Sequence, residues 1–396
     1  MKRYAVPAAL VLGSLLVALL AGEAVLRATG FSYANFWLPD DLTGSRLRPG
    51  IEGWNRREGA AYIKINSRGL RDREHAIEKP RGVYRIAVLG DSYAEAMQVD
   101  LEKTFWSLLP ARLAACGFQA GKRIETINFG VSGYGTAQQL LTLRHRAWDY
   151  APDLVLVAFF PGNDVRNNSK RLEPEKIRPF FVLRDGALAL DDSFRRDARY
   201  QEAKGLAGQR AWLQDLRLYQ LARRVRAGEI RLGDNAPIAR AIAADGKAAP
   251  SLAEPGLDEN VFREPVDAAW REAWAITEKL LLAMHEETRA RGAGFLVAVL
   301  SSPGAVYPDA AMRSRYAEIL GTQDLFYPER RIARLGGEHG FEVAALAHEM
   351  QRHADASGAY LHGFANSRLG FGHWNEAGHE LAAALIARQL CAKGGS

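Results

Sequence analysis

The chain has 396 residues, 48% of them hydrophobic and 25% charged, with a net charge of +6. This is globular composition, with enough apolar material for one large core or two smaller ones. Its basic residues are dispersed, with only short pairs such as Arg195-Arg196 and Arg223-Arg224. That argues against a nucleic-acid binder, which concentrates its cations, and suits a solvated surface drawn to anionic lipid or acidic polysaccharide.

At the N-terminus Lys2 and Arg3 precede an uncharged run from Tyr4 to Gly22. As a helix these nineteen residues span about 28 Å, close to the thickness of a hydrocarbon core. Cleaved signals carry shorter apolar regions, and no lipobox-like cysteine follows, so an uncleaved anchor over residues 1–27 is expected ahead of a cleaved signal. The positive charges lie before the run, which places the rest of the chain on the extracytoplasmic (periplasmic) side. Residues 28–80 read as a loop-rich stalk or collar, with a strand-like Ala61–Asn66 and a turn at Asn66-Ser67-Arg68-Gly69.

From residue 81 the pattern changes to short apolar runs separated by helical stretches. The runs are Tyr84–Leu89, Ile124–Phe129, Leu154–Phe160, Gly294–Leu300 and a weaker Phe341–Leu346. Helices are expected over Thr104–Cys116 (shortened or kinked by Pro110), Ala137–Asp149 and Asp267–Arg291, with a last one over Glu376–Cys391 behind Asn375 as N-cap. This alternation predicts an α/β domain over residues 81–396: a parallel sheet of about five strands covered on both faces. Residues 165–265 break the rhythm and read as an insertion overhanging the site, with one helix at Leu206–Ala227 and a flexible part at Arg240–Gly256.

Two cysteines, Cys116 and Cys391, are too few for a zinc-finger ligand set; they can pair in an oxidising compartment or remain inert thiols. His348 and His353 stand five apart, so on a helix they point about 140° away from each other and do not form a zincin pair. The glycines after Phe129 fit neither nucleotide-binding spacing, and Ser92 is not in a GxSxG elbow. No metal or cofactor is expected.

In open α/β sheets ligands bind beyond the carboxyl ends of the strands. Three successive runs deliver polar or glycine-rich turns there: Ser92, Gly130–Gly135 and Asn163-Asp164. A histidine, His373, precedes the final helix. A hydroxyl, a base and oxyanion donors are the ingredients of acyl transfer.

Four segments, Gly90-Asp91-Ser92-Tyr93, Asn128-Phe129-Gly130-Val131-Ser132-Gly133-Tyr134, Gly162-Asn163-Asp164 and His373-Trp374-Asn375, occur in the order of the motif blocks of the SGNH/GDSL hydrolases. The chain resembles that family from Tyr84 to Leu390, apart from the insertion. The resemblance implies a flavodoxin-like three-layer α/β/α fold and an esterase, with Ser92 as nucleophile and His373 as base. Ser92, Gly133 and Asn163 would supply the oxyanion hole. Asp164 is expected to brace its loop, His379 to be structural, and Glu376 to serve the last helix's N-terminus. The family's usual Asp three residues before the histidine is replaced by Gly370. A Ser–His dyad with a backbone carbonyl on the imidazole is favoured over a distant acid such as Asp355. The substrate implied is an ester or acylated carbohydrate. The acyl group, most simply acetyl, would pass to water or, in the alternative of a polysaccharide O-acetyltransferase, to a sugar hydroxyl. A rival of another class is a catalytically silent carbohydrate-binding or assembly protein of the same fold.

Overall fold

The computed structural model describes residues 2–209, 212–226 and 258–392. Its first helix, α1 (Lys2–Ala28), contains the stretch Ala9–Ala28, which has a mean hydropathy of 2.3 and is 0% buried against the rest of the protein. That length and composition are enough to cross a membrane.

Two antiparallel hairpins follow, β1 (Trp37–Asp40) with β2 (Gly44–Leu47) and β3 (Glu52–Asn55) with β4 (Ala61–Lys64). The expected turn closes behind β4, where the Gly69 N–H donates to the Asn66 carbonyl at 3.0 Å. These hairpins bury Phe36, Leu47, Ala61 and Ile63 against Met97, Val131 and Tyr134 of the following domain. Residues 28–80 are therefore packed onto the loops that leave the main sheet.

The main sheet is built from β5 (Val83–Gly90), β6 (Arg123–Asn128), β7 (Leu154–Phe159), β10 (Gly294–Val299) and β11 (Glu342–Ala345), between which β8 (Phe180–Arg184) and β9 (Ala187–Asp191) form a separate hairpin. All five strands run parallel in the order β11-β10-β7-β5-β6. Numbered within the sheet this is 2-1-3-4-5, the flavodoxin-like order. Each strand matches an expected run of the sequence to within a residue or two; the central strands β5, β7 and β10 are nearly continuous apolar runs because they are buried on both faces, whereas the edge strands β6 and β11 carry polar or part-exposed residues.

The helices are α2 (Ser92–Glu95), α3 (Phe105–Ala115), α4 (Thr136–His145), α5 (Pro161–Asn167), α6 (Ala198–Gln209), α7 (Arg217–Arg226), α8 (Ala268–Ala290), α9 (Ala310–Leu320), α10 (Tyr327–His339), α11 (Ala347–Ser357) and α12 (Glu376–Cys391). Contacts join α3 with α12 and α12 with α11; α4 packs with α8, and α8 with α10. These two groups cover the two faces of the sheet. Cys116 and Cys391, at the ends of α3 and α12, are joined in a disulfide.

Two expectations need correction. Pro110 does not shorten α3, which runs to Ala115; the Trp106 carbonyl, which a residue-110 N–H would serve, accepts the Thr126 hydroxyl at 2.9 Å. The single helix expected over Leu206–Ala227 is two, α6 and α7, with a short 3₁₀ turn at Leu213–Asp215 between them. Gly205 and Gly208 weaken the helical pattern before that break. Arg240–Gly256 lies outside the described residues.

Candidate active site

The switch point of a doubly wound sheet is where successive connections leave in opposite directions. Here that is between β5, whose chain continues to β6, and β7, whose chain continues to β10. Ser92 begins α2 directly after β5, and Asn163 lies in the first turn of α5 after β7. Gly133 follows β6. The Asp91 carboxylate caps α2 by accepting the Tyr93 N–H at 2.9 Å, which fixes the turn that presents Ser92.

His373 is brought to this point from the loop before α12. Its Nε2 lies 2.8 Å from the Ser92 hydroxyl oxygen. Its Nδ1 lies 2.6 Å from Oε2 of Glu58, and its backbone N–H donates to Oε1 of the same carboxylate at 2.7 Å. Both partners are partly shielded, the His373 side chain being 28% exposed and the Glu58 side chain 20%. Burial pushes the Glu58 carboxyl up, but the hydrogen bonds and charge of His373 outweigh it, and the net shift is downward. Glu58 is thereby held ionised beside the imidazole.

Glu58 was not among the residues expected here. It sits between β3 and β4, 315 positions from His373, and belongs to none of the four motif blocks. Asp355 is elsewhere: it is half exposed and pairs with Arg313 at 2.7 Å. A backbone carbonyl is not the partner of Nδ1 either. The nearby Gly372 carbonyl is instead engaged by His362 Nδ1 at 2.8 Å and by the Tyr93 hydroxyl at 3.2 Å.

The glycines before His373 explain why the acid comes from the collar. Gly370 has φ +82°, and a Cβ there would lie 2.2 Å from the Tyr307 ring, so an aspartate does not fit. Gly372 has φ +81°, and a Cβ there would lie 2.0 Å from Glu58 Oε1. Its missing side chain is the space the Glu58 carboxylate uses.

A buried network holds this loop. The Ser301 hydroxyl oxygen accepts the Trp374 indole N–H at 2.8 Å and lies 3.0 Å from His362 Nε2. Burial drives His362 down to about 3, so it stays neutral while its Nδ1–H holds the Gly372 carbonyl. His379 is likewise pushed down to about 3 by burial, and its Nδ1 accepts the Phe105 N–H at 3.3 Å. Glu376, in the first turn of α12, pairs with Lys103 at 2.7 Å.

Around Gly133 and Asn163 the site is also braced. The Arg178 guanidinium donates to the Gly133 carbonyl, and a Cβ on Gly133 would meet no atom within 4 Å, so space lies open beside it. Buried Glu95 accepts the Trp37 indole N–H at 2.9 Å and the Ser132 hydroxyl, anchoring the loop to β1. Asp164 accepts the Phe160 N–H at 3.1 Å, which ties down the start of α5. Burial raises the Asp91 carboxyl to about 6, against the pull of the Tyr93 N–H, the His373 charge and the Asn163 amide. Gly133 and Asn163 line one open cleft, walled by Trp37, Tyr200, Arg166 and Glu175.

No family model matches the chain, and no curated protein is significantly similar to it. Solved structures do match it. A lipase/acylhydrolase from Enterococcus faecalis is 14% identical, covering 78% of this chain and 96% of that one, with a TM-score of 0.38. A catalytic mutant of an acetylxylan esterase from Geobacillus stearothermophilus is 11% identical, over 78% and 94% of the two chains, with a TM-score of 0.37. A GDSL-like lipase from Bacteroides thetaiotaomicron is 11% identical, over 77% and 87%, with a TM-score of 0.32.

Proposed function

We propose that this chain is a serine esterase of the SGNH type, anchored by α1 with its catalytic domain outside the cytoplasm. The observation that carries the reading is the unbroken relay Ser92–His373–Glu58, with contacts of 2.8 and 2.6 Å.

With Glu58 ionised, the proton of the neutral imidazole stays on Nδ1 and Nε2 is free to accept. The Ser92 hydroxyl gives its proton to Nε2 as its oxygen attacks the ester carbonyl carbon. The imidazolium formed lies against the Glu58 carboxylate. The tetrahedral oxyanion accepts the Ser92 and Gly133 backbone N–H groups and a side-chain N–H of Asn163, each donor lowering the barrier by about 3–4 kcal/mol. Collapse expels the alcohol, which takes the proton from Nε2, and leaves an acyl-enzyme on Ser92. A second hydroxyl, from water or from a sugar, is deprotonated by His373 and releases the acyl group.

The cleft supports an acylated carbohydrate as substrate. Trp37 offers aromatic surface for a sugar ring, and Arg166 and Glu175 offer groups for its hydroxyls. Its openness beside the oxyanion residues leaves room for an acceptor sugar, which keeps O-acyl transfer as the second reading. The decisive test is labelling by a fluorophosphonate probe together with release of acetate from acetylated oligosaccharides. Wild type is expected to do both and Ser92→Ala neither. Acetate release surviving in Ser92→Ala refutes the mechanism. Recovery of the acetyl group on an added oligosaccharide, in place of free acetate, selects the transferase.

A further inference from the structure

A basic cavity lies between the collar and α7. Helix α7 starts on the last turns of α1: the Arg217 and Leu218 N–H groups both donate to the Glu23 carboxylate at 3.0 Å, and Arg27 donates to the Asp215 carbonyl at 3.1 Å. Farther along, Gln220 accepts the Tyr33 N–H at 2.9 Å. Between α7, the segment after α1 and the β3–β4 loop is a cavity of roughly 160 Å³. Arg56, Arg57, Arg223 and Arg224 line it, and among the described residues its lining contains no acidic side chain.

These cations are arranged rather than merely abundant. Arg56 lies 4.5 Å from the Trp54 ring centroid and Arg224 4.4 Å from that of Tyr33, stacked on aromatic walls. Among the described residues no carboxylate pairs with Arg56, Arg57 or Arg223. Burial lowers the Arg224 pKa, and the charges of Arg57 and Arg223 add to that effect. Four guanidiniums lining one cavity, two of them stacked on its aromatic rings, suit a phosphate, whose oxygens match the guanidinium fork.

The position names the source of the phosphate. The first lining residue, Tyr33, follows the apolar stretch Ala9–Ala28 by five positions, which puts it beside the headgroups if that stretch spans a bilayer. Trp212, 65% exposed at the start of the α7 segment, has the amphipathic side chain found at membrane interfaces. We propose that this arginine cavity binds the phosphodiester headgroup of an anionic phospholipid and so sets the seating of the catalytic domain on the membrane. This rests on reading α1 as a retained membrane helix; the pocket and that reading are tested separately.

The test uses the full chain in non-ionic detergent. Thermal unfolding is followed during titration with dihexanoyl-phosphatidylglycerol, dihexanoyl-phosphatidylcholine or inorganic phosphate. A saturable rise in Tm with phosphatidylglycerol alone is expected, its half-saturation weakened at least tenfold in Arg223→Gln/Arg224→Gln with esterase turnover unchanged. Arg57→Gln, on the opposite wall, serves as the second variant if α7 fails to fold in the first. Equal response to phosphatidylcholine, equal response to inorganic phosphate, or wild-type titration by both variants overturns the lipid site. The mass of the chain extracted from membranes reports independently on whether α1 is retained.

Discussion

The Glu58 carboxylate makes two contacts at His373, and Glu58→Gln cannot satisfy both. Its oxygen has to accept the backbone N–H that now donates to Oε1 at 2.7 Å, because that donor is fixed. The new amide NH₂ then faces Nδ1, now 2.6 Å from Oε2. A donor at that place favours the imidazole tautomer whose proton is on Nε2, and that proton points at the Ser92 oxygen. In this tautomer the base cannot take the serine proton. In the same position of serine proteases the wrong tautomer costs about 10⁴ in rate. Here we expect kcat for 4-nitrophenyl acetate to fall about 10³–10⁴-fold, or about 4–5.5 kcal/mol of barrier. Glu58→Ala, which admits water and leaves the tautomer free, should lose no more than Glu58→Gln. The assay is steady-state hydrolysis with Ser92→Ala as the baseline, alongside the rate of fluorophosphonate labelling. Turnover of Glu58→Gln within tenfold of wild type would refute the role assigned to this carboxylate.

Gly372→Ala puts a methyl group 2.0 Å from Glu58 Oε1 and should lower kcat about 10²-fold or more with the fold retained, measured by the same assay and by circular dichroism. Gly370→Asp added to Glu58→Ala should fail to restore turnover and should lower Tm, because its Cβ overlaps the Tyr307 ring. Replacing Cys116 and Cys391 by serine opens a link across 275 residues and should cost about 3–5 kcal/mol in urea unfolding while leaving turnover at 25 °C unchanged. Glu329 is raised from 4.5 to about 7, chiefly by burial against the pull of N–H groups at the start of α11. The folded state therefore holds a proton that the unfolded state has released between those values, so its contribution is greatest at low pH and shrinks by up to about 3 kcal/mol as pH rises through 7. The urea midpoint of Glu329→Gln should fall less between pH 5 and pH 8 than that of wild type.

The middle of the sheet was legible because burial on both faces writes β7 and β10 as continuous apolar runs, and α12 was legible because Asn375 caps it. Ser92, Gly133 and Asn163 were legible as turn residues because each lies in the segment that follows an expected strand run. Glu58 was not. Its hairpin is short, its neighbours Arg56 and Arg57 resemble any solvated turn, and nothing local separates a catalytic carboxylate from a surface one. The signal available was negative: two glycines where the histidine loop has no acid of its own. The break between α6 and α7 was missed because Gly205 and Gly208 are a weak breaking signal in a stretch of otherwise helical composition, and the contacts of Arg217 and Leu218 with Glu23 of α1 set where α7 begins.

The position of Glu58 changes what the collar is for. Had the acid been three residues before His373, residues 28–80 could vary in packing without touching the relay. With the acid in the β3–β4 loop, the relay is complete only when that hairpin is seated, and its seat is the cluster of Ala61 and Ile63 with Met97 and Val131. The same hairpin leads into Arg56 and Arg57 at the cavity between the collar and α7. Arg56 and Arg57 are thus separated from the Nδ1 contact by no more than the turn that carries Glu58, and a shift at the cavity is expected to reach it. Loosening the seat should depress turnover before it unfolds the α/β domain. Ile63→Ala, which leaves a void of three methyl-sized groups in a fully buried position, should cost about 2–5 kcal/mol locally. If the coupling holds, kcat falls with temperature well below the global Tm, while in Ile63→Ala/Glu58→Ala the temperature profile returns to that of Glu58→Ala alone. Loss of turnover that tracks global unfolding in both would mean that the collar is a passive spacer.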